Sequence, residues 1–122
     1  MSGADTKRVV VDSVDALAEG SVTAIDVGGR SIAVVRSDGE FFAVRNRCPH
    51  HGAPLSAGAV TGRMRPSDPH QYEYGDEGTI LRCPWHGYEF RLRDGRNPLH
   101  PDRLRVKTYR TEVEDGQVVV YA

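Results

Sequence analysis

Two short segments carry cysteine and histidine at spacings suited to holding a metal centre. Cys48-Pro49-His50-His51-Gly52 places a histidine two residues after its cysteine, and Cys83-Pro84-Trp85-His86-Gly87 places one three residues after. In each segment a proline follows the cysteine and a glycine follows the last histidine. Proline stiffens a loop, whereas glycine tolerates positive φ and a close approach of the backbone. The predicted ligands are two thiolates and two imidazoles, from Cys48, His50, Cys83 and His86.

Two chemistries fit this ligand set. Zinc is held by two cysteines and two histidines in many structural sites, and the chain would then be a zinc-stabilised interaction module without redox activity. The alternative is an iron–sulfur cluster, which would make the chain a redox protein. Spacing alone does not separate the two. A disulfide between the two cysteines is the weakest interpretation, because nothing in the sequence indicates secretion.

The other histidines do not build a catalytic site. We expect His51 to be a loop residue beside the ligands, and His70 and His100 to be ordinary surface residues. An oxygenase centre needs a mononuclear iron held by two histidines and a carboxylate, and we expect no downstream domain that would arrange these three residues. We therefore predict that the chain is not an enzyme by itself.

Short strands between turn signals must position the two loops. Gly28-Gly29, Asp38-Gly39, Asp94-Gly95 and Asp115-Gly116 are turn pairs, and such pairs between apolar runs are strong hairpin signals. The predicted strands are Lys7–Val11, Ser21–Val27, Ser31–Arg36, Phe41–Arg45, Thr79–Arg82, Tyr88–Leu92, Leu104–Val113 and Gln117–Tyr121. This spacing is typical of an all-β fold, an antiparallel sandwich or barrel.

Three other segments complete the prediction. Ser13 to Gly20 has a capping serine and a terminal glycine, and we expect a short helix there. The proline- and glycine-rich stretch Asn46–Gly58 is expected to be a functional loop. The polar stretch Thr61–Gly78 is expected to be a long surface excursion.

Composition and charge exclude several function classes. The 122 residues are 39% apolar and 27% charged, as in one soluble globular domain. No apolar run reaches the length of a signal-peptide core or a membrane span, so we expect a cytoplasmic protein without membrane contact. The net charge of −1 hides a basic middle. No aromatic stacking platform accompanies its cationic run, and the alternation of the run suggests a solvated sheet face, so we expect no nucleic-acid binding. The run comprises Arg91, Arg93, Arg96, Arg103, Arg105, Lys107 and Arg110.

The longer motifs resemble the Rieske iron–sulfur family. Arg47–Ser56, read as Arg-Cys-Pro-His-His-Gly-Ala-Pro-Leu-Ser, and Cys83–Phe90, read as Cys-Pro-Trp-His-Gly-Tyr-Glu-Phe, are similar to Rieske ferredoxins. The resemblance covers nearly the whole chain and implies one [2Fe–2S] cluster per chain. It also implies that the cysteines hold one iron and the histidines the other. The expected organisation is a single domain, 1–122, with a small cluster-binding subdomain at about 46–90 and an insertion at 61–78.

The resemblance also places the chain within the family. Rieske proteins of respiratory complexes carry two further cysteines that bridge the loops, at the positions of Ala53 and Trp85 here. Their absence implies the lower-potential, oxygenase-associated branch. The implied function is one-electron transfer from a reductase to a terminal oxygenase or a similar enzyme, and these are the expected partners. The small subunit of an NAD(P)H nitrite reductase is the alternative within the family.

Three arginines flank the ligand segments in the sequence. Arg45 and Arg47 precede Cys48, and Arg82 precedes Cys83. We expect these charges to steer an acidic redox partner, since complementary charge speeds encounter. The simpler interpretation is that they pair with nearby acids such as Glu89.

Overall fold

The computed structural model describes residues 7–49, 52–66, 72–85 and 87–122, and within 62–66 and 72–79 it describes the backbone alone. The described part of the chain forms nine strands and two three-residue 3-10 turns. The strands are β1 (Arg8–Ser13), β2 (Val22–Val27), β3 (Arg30–Ser37), β4 (Glu40–Arg45), β5 (Ala59–Pro66), β6 (Tyr72–Arg82), β7 (Glu89–Arg91), β8 (Thr108–Glu114) and β9 (Gln117–Tyr121). The all-β prediction is confirmed.

Six strands make the larger sheet, in the order β1-β9-β8-β4-β3-β2, and each described pair is antiparallel. Three of the four turn pairs join paired strands, namely Gly28-Gly29, Asp38-Gly39 and Asp115-Gly116, whereas Asp94-Gly95 follows β7 without closing a pair of described strands. Val27 pairs with Arg30 across Gly28 and Gly29, whose φ angles are 59° and 84°. Positive φ at both central residues is what a type I′ turn requires, and glycine adopts it at little cost.

The smaller sheet has three strands in the order β5-β6-β7. β6 lies between the other two, with Arg82 paired to Ala59 on one side and to Glu89 on the other. One cysteine loop leads from β4 of the larger sheet to β5 of the smaller sheet, through the 3-10 turn Leu55–Ala57. The other cysteine loop joins β6 to β7. Both loops therefore lie at one end of the small sheet.

Two apolar clusters form the core. One lies within the larger sheet and includes Ile32, Val34 and Val118. The other contains both cysteines, together with residues from the two sheets such as Val44, Leu81 and Phe90. Phe90 is 1% exposed, and burying such a side chain stabilises a fold by about 1.5–3 kcal/mol.

The predicted helix at Ser13 to Gly20 is wrong. The structure has only a 3-10 turn, Val14–Ala16, and the Ser13 side chain makes no capping hydrogen bond. Arg36 explains the difference, because its Nη1 donates to the carbonyl oxygens of Val14 and Leu17 at 3.0 and 2.7 Å. In a longer helix these carbonyl oxygens would accept hydrogen bonds from N–H groups further along the same helix. Here they accept from the Arg36 side chain of β3 instead.

The stretch Thr61–Gly78 is also not a loop excursion where the structure describes it. β5 continues to Pro66, β6 begins at Tyr72, and Arg63 pairs with Gly75 beyond a register shift. Ladder hydrogen bonds join backbone groups, so a polar composition does not prevent them. The predicted strand Leu104–Val113 begins later, at Thr108, preceded by an isolated bridge between Arg96 and Arg105. The subdomain boundaries stay a prediction.

Candidate metal centre

The two cysteines lie together in the interior. Cys48 is 1% exposed and Cys83 is 2% exposed, and both belong to the same apolar cluster. Neither takes part in a disulfide. Strands β5 and β6 lie between the two cysteines in the sequence. Folding of the small sheet therefore brings both cysteines into one cluster. Two unbridged thiols from two loops are suitable anchors for one thiolate-held metal centre.

The two loops share one backbone hydrogen-bonding scheme. In the first, the Cys48 N–H donates to the Ala53 carbonyl at 2.8 Å, and the Gly52 N–H donates to the Cys48 carbonyl at 2.7 Å. In the second, the Cys83 N–H donates to the Tyr88 carbonyl at 2.8 Å. The Gly87 N–H donates to the Cys83 carbonyl at 3.2 Å. The loops therefore present their cysteines in equivalent local settings.

Each loop also uses its glycine in the left-handed region, as the motif predicts. Gly52 has φ 79° and Gly87 has φ 71°. A residue with a Cβ is strained at such angles, and glycine is not. Both turns therefore depend on the glycine that follows the histidine, which gives the repeated glycine of the two motifs its physical reason.

The predicted histidine ligands His50 and His86 lie outside the described residues, as do His51 and His70. Within the described ranges, no group of three or more metal-binding side chains occurs. The thiol half of the ligand set fits a [2Fe–2S] cluster, because its two members are buried, unbridged and carried by matching loops. The full four-ligand assignment stays a prediction. His100 is exposed, as expected, and lines a cavity of about 610 Å³ beside Gly87 and Tyr88.

The residues at the two expected positions of a loop disulfide have unlike surroundings. Ala53 is fully buried, whereas Trp85 is 59% exposed. The first loop is thus packed by a small apolar side chain, and the second presents a large aromatic surface. An exposed aromatic side chain next to a predicted ligand is suited to contact with another protein.

Asn46 closes the first loop, a role that the sequence did not reveal. Its Nδ2 donates to Ser31 Oγ at 3.0 Å and to Ser56 Oγ at 2.9 Å, and its Oδ1 accepts from the Ser56 N–H at 2.6 Å. Ser56 is ten positions further on, so this side chain joins the beginning of the loop to its end. The only feature in the sequence that could have indicated this role is an asparagine two residues before Cys48.

Asn97 supports the second loop in a similar way. It is 4% exposed, and its Nδ2 donates to the Glu89 carbonyl at 2.9 Å. Its Oδ1 accepts from the N–H groups of Leu99 and His100 at 2.9 and 2.8 Å. Glu89 begins the strand that follows the loop. One buried amide therefore fixes the outgoing strand to the segment that covers it.

The arginines near the loops differ in their pairing. Arg82 Nη2 lies 3.0 Å from Glu89 Oε2, so the simpler expectation of local pairing is met for this residue. Arg45 and Arg47 line a depression of about 410 Å³ with Pro49, Arg105, Val106 and Lys107. Among the described side chains, none of the four cations of this depression is in an ion pair. Positive charge is therefore uncompensated on one side of the site.

Comparison with known families and relatives agrees with the site. The model of the Rieske [2Fe-2S] domain matches residues 7–110. Human apoptosis-inducing factor 3 is 29% identical over 119 residues. The matched region covers 97% of this chain but only 17% of that relative's length. The 3-phenylpropionate/cinnamic acid dioxygenase ferredoxin subunit of Photorhabdus laumondii is 30% identical over 113 residues, which are 93% of this chain and 92% of that protein.

Solved structures share the fold. The ferredoxin of carbazole 1,9a-dioxygenase from Nocardioides aromaticivorans is 28% identical with a TM-score of 0.73, covering 93% of this chain and 96% of its own. A ferredoxin from a complex of reduced oxygenase and oxidised ferredoxin of carbazole 1,9a-dioxygenase is 25% identical with a TM-score of 0.72, covering 92% and 99%. A nitrite reductase small subunit of Mycobacterium tuberculosis, at 24% identity and a TM-score of 0.76, covers 96% of each chain and shows the fold alone.

Proposed function

Because this chain belongs to the Rieske [2Fe–2S] domain family, we propose that it carries single electrons from a reductase to an oxygenase-type enzyme. The observation that carries the proposal is the pair of buried, unbridged cysteines on two loops with one hydrogen-bonding scheme. The cofactor is one [2Fe–2S] cluster, which accepts and releases one electron when bound. We assign its ligands to Cys48, His50, Cys83 and His86.

The residues around the cysteines have a definite task in this function. Ala53, Leu55 and Leu81 are each no more than 1% exposed and pack in the cysteine cluster, so they keep water from the thiol side of the site. A dry, low-dielectric setting strengthens the electrostatic effect of each nearby dipole on the electron that arrives. The hydrogen bonds of Asn46 and Asn97 hold the two loops in place, which would keep reorganisation small when the cluster gains or loses an electron.

The partner class rests on the relatives. The Photorhabdus protein is a dioxygenase ferredoxin subunit by name and matches along nearly its whole length. The carbazole dioxygenase ferredoxin has been solved with its oxygenase. A terminal oxygenase is thus the proposed electron acceptor here, with a reductase as donor. A nitrite reductase subunit is the weaker alternative, because that likeness extends to the fold alone.

The cytoplasm is the proposed location. No helix in the described ranges is long and apolar enough to cross a bilayer. The two cysteines remain unbridged, as suits a reducing compartment.

The test of this function is a metal and spectroscopic analysis of protein purified without oxygen. We expect two irons and two acid-labile sulfides per chain, visible absorption that bleaches on reduction, and an electron paramagnetic resonance signal in the reduced state. Cys48→Ser, Cys83→Ser, His50→Ala and His86→Ala should each lose the signal. His100→Ala, at an exposed histidine, is the matched control and should keep it. Stoichiometric zinc in place of iron would overturn the proposal and support the interaction module.

A further inference from the structure

The four cations of the depression come from two distant parts of the chain. Arg45 ends β4 and Arg47 precedes Cys48, whereas Arg105 and Lys107 precede β8. A backbone hydrogen bond of 2.9 Å from the Arg45 N–H to the Lys107 carbonyl joins the two segments. The side chains therefore surround one surface, the basic depression, although about sixty positions separate them in sequence.

Alternation along the backbone explains why three of the four charges face outwards. Val44 and Val106 are buried in the cluster that contains both cysteines, at 1% and 5% exposure. Neighbouring residues in extended chain point to opposite sides. Arg45, Arg105 and Lys107, which adjoin those valines, are exposed. The cations of the basic depression thus lie on the outer side of the same backbone segments whose valines pack beside the thiols.

The second loop and the segment that follows it carry paired charges. Glu89 pairs with Arg82, Asp94 with Arg91 at 3.5 Å, and Asp102 with Arg96 at 3.8 Å. Around the basic depression, by contrast, none of the six lining residues is acidic. Lys107 Nζ lies 5.3 Å from the centre of the Tyr109 ring, a contact that leaves its charge uncompensated. Among the described side chains, three cation–carboxylate pairs therefore occur in and after the second loop, and none occurs in the basic depression.

We propose that Arg45, Arg47, Arg105 and Lys107 form the docking surface for an acidic segment on the surface of a redox partner protein. This inference rests on the proposed electron-carrier function and names the side of the site at which the partner arrives. Exposed cations without local partners lose little on meeting carboxylates, whereas Arg82 would first have to leave Glu89. Pro49, next to Cys48, lines the same surface, so a docked segment lies beside the first loop.

A protein partner fits this surface better than a nucleic acid does. Binding of single strands uses aromatic side chains on which bases stack, together with cations. Among the residues that the structure describes, none that lines the basic depression is aromatic. Its volume of about 410 Å³ suits a few carboxylate side chains. Complementary charge of this kind raises association rates about tenfold or more, and salt removes the gain.

The first experiment measures binding without any redox reaction. A fluorescent six-aspartate peptide is titrated with the purified holoprotein at low and at physiological salt, and anisotropy reports binding. Arg47→Glu and Arg105→Glu should each weaken binding at low salt about tenfold, and neutral Arg105→Gln should weaken it less. Lys7→Glu, which makes the same change in net charge at an exposed residue paired with the opposite chain end, should change it less than twofold. Arg82→Gln should also change it less than twofold.

The second experiment measures electron exchange with small reagents of known charge. The reduced protein gives one electron to hexacyanoferrate(III), an anion, or to hexaammineruthenium(III), a cation, in a stopped-flow instrument. Arg47→Glu and Arg105→Glu should slow the anionic reagent several-fold and leave the cationic one unchanged or faster. Equal effects in Lys7→Glu would overturn the proposal, since net charge alone would then explain the rates.

Two further outcomes would also overturn the docking proposal. One is peptide binding that is absent at low salt, and the other is much tighter binding of a single-stranded oligonucleotide of equal charge, which indicates a nucleic-acid surface. Failure of the proposed function has a different signature. A protein without iron gives no colour change with either reagent, while the peptide titration still reports on the basic depression.

Discussion

The guanidinium of Arg47 lies against Gly52 in the first cysteine loop. A Cβ at residue 52 would be 3.3 Å from Arg47 Nε and 3.4 Å from Nη2. The equivalent glycine of the second loop, Gly87, has nothing within 4 Å of that position. The two loops thus share their backbone scheme and differ in what covers it, since an arginine packs on the first alone.

This difference predicts unequal effects of one substitution at two equivalent positions. Gly52→Ala and Gly87→Ala should each destabilise the protein by about 1 kcal/mol, because alanine is strained at positive φ. Gly52→Ala should in addition displace Arg47 and alter the salt dependence of electron exchange with hexacyanoferrate. Chemical denaturation gives the first quantity and stopped-flow kinetics the second. An identical salt dependence in both variants would show that Arg47 is not held by the loop.

At Gly58 we expect a larger loss of stability than at Gly52 or Gly87, although the φ angle of Gly58 is allowed for any residue. Its backbone is extended, with φ −85° and ψ −160°, but a Cβ there would lie 1.9 Å from the Arg82 carbonyl oxygen. The backbone before Cys83 would have to move. We expect Gly58→Ala to cost about 1–3 kcal/mol and to lower the iron content. Gly20→Ala is the control: its φ of 79° strains an alanine by about 1 kcal/mol, but no atom lies within 4 Å there, so the iron content should be kept. Equal loss of iron in both variants would contradict the steric explanation.

Asn46 predicts a loop that loosens without losing a ligand. Asn46→Ala removes three hydrogen bonds at the ends of the first loop and should destabilise the protein by about 1–3 kcal/mol. The visible absorbance should then decay faster when an iron chelator is added. Asn46→Asp keeps the acceptor for the Ser56 N–H and should recover part of the loss. A decay rate equal to that of the unaltered protein would remove Asn46 from the support of the site.

Ala53 and Trp85 predict the reduction potential. With no cysteine at either position, no disulfide links the loops, and we expect a potential near the low end of the roughly −150 to +300 mV range of Rieske centres. Protein-film voltammetry near neutral pH measures it. A value in the upper part of that range would mean that hydrogen bonds to the sulfurs outweigh the missing bridge.

Glu114 predicts a stability that declines in acid. Hydrogen bonds from the Tyr121 hydroxyl and from the Arg8 guanidinium lower the pKa of this carboxyl below its ordinary 4.5. A lowered pKa means that the stabilisation is complete above pH 4.5 and is lost as the pH falls through the folded value. Glu114→Gln should therefore be less stable than the unaltered protein at neutral pH, with the gap closing in acid. Tyr121→Phe should reproduce most of this change, and a gap independent of pH would contradict it.

The sequence was most informative where local chemistry is self-contained. The cysteine and histidine spacing identified the two loops, and paired turn residues such as Asp115-Gly116 identified hairpins, because positive φ at both positions is a local requirement. What the sequence could not reveal depends on distant partners. Arg36 ends the first helical turn from another strand, and Asn46 bonds to Ser31 and Ser56.

The charge pattern shows the same limit. Arg105 and Lys107 read as members of a solvated run, whereas the fold places them beside Arg45 and Arg47. By sequence Arg82 groups with Arg45 and Arg47 as a charge that steers a partner, whereas in the structure it is paired with Glu89. Only a register, here the pairing of Arg82 with Glu89 across β6 and β7, decides which charges cancel. Counting charges along the chain therefore predicted a basic surface but did not predict which cations come together in the basic depression.

The two sheets have no strand pairing between them in the described ranges, and both contribute to the cluster that contains Cys48 and Cys83. A metal centre held by these two thiols would therefore also join the larger sheet to the smaller sheet. A newly made chain that has not received its iron should open at this seam and be cut there by proteases. Cellular iron supply would then set the lifetime of the protein as well as its activity, and misloaded chains would be cleared before they could compete for a partner.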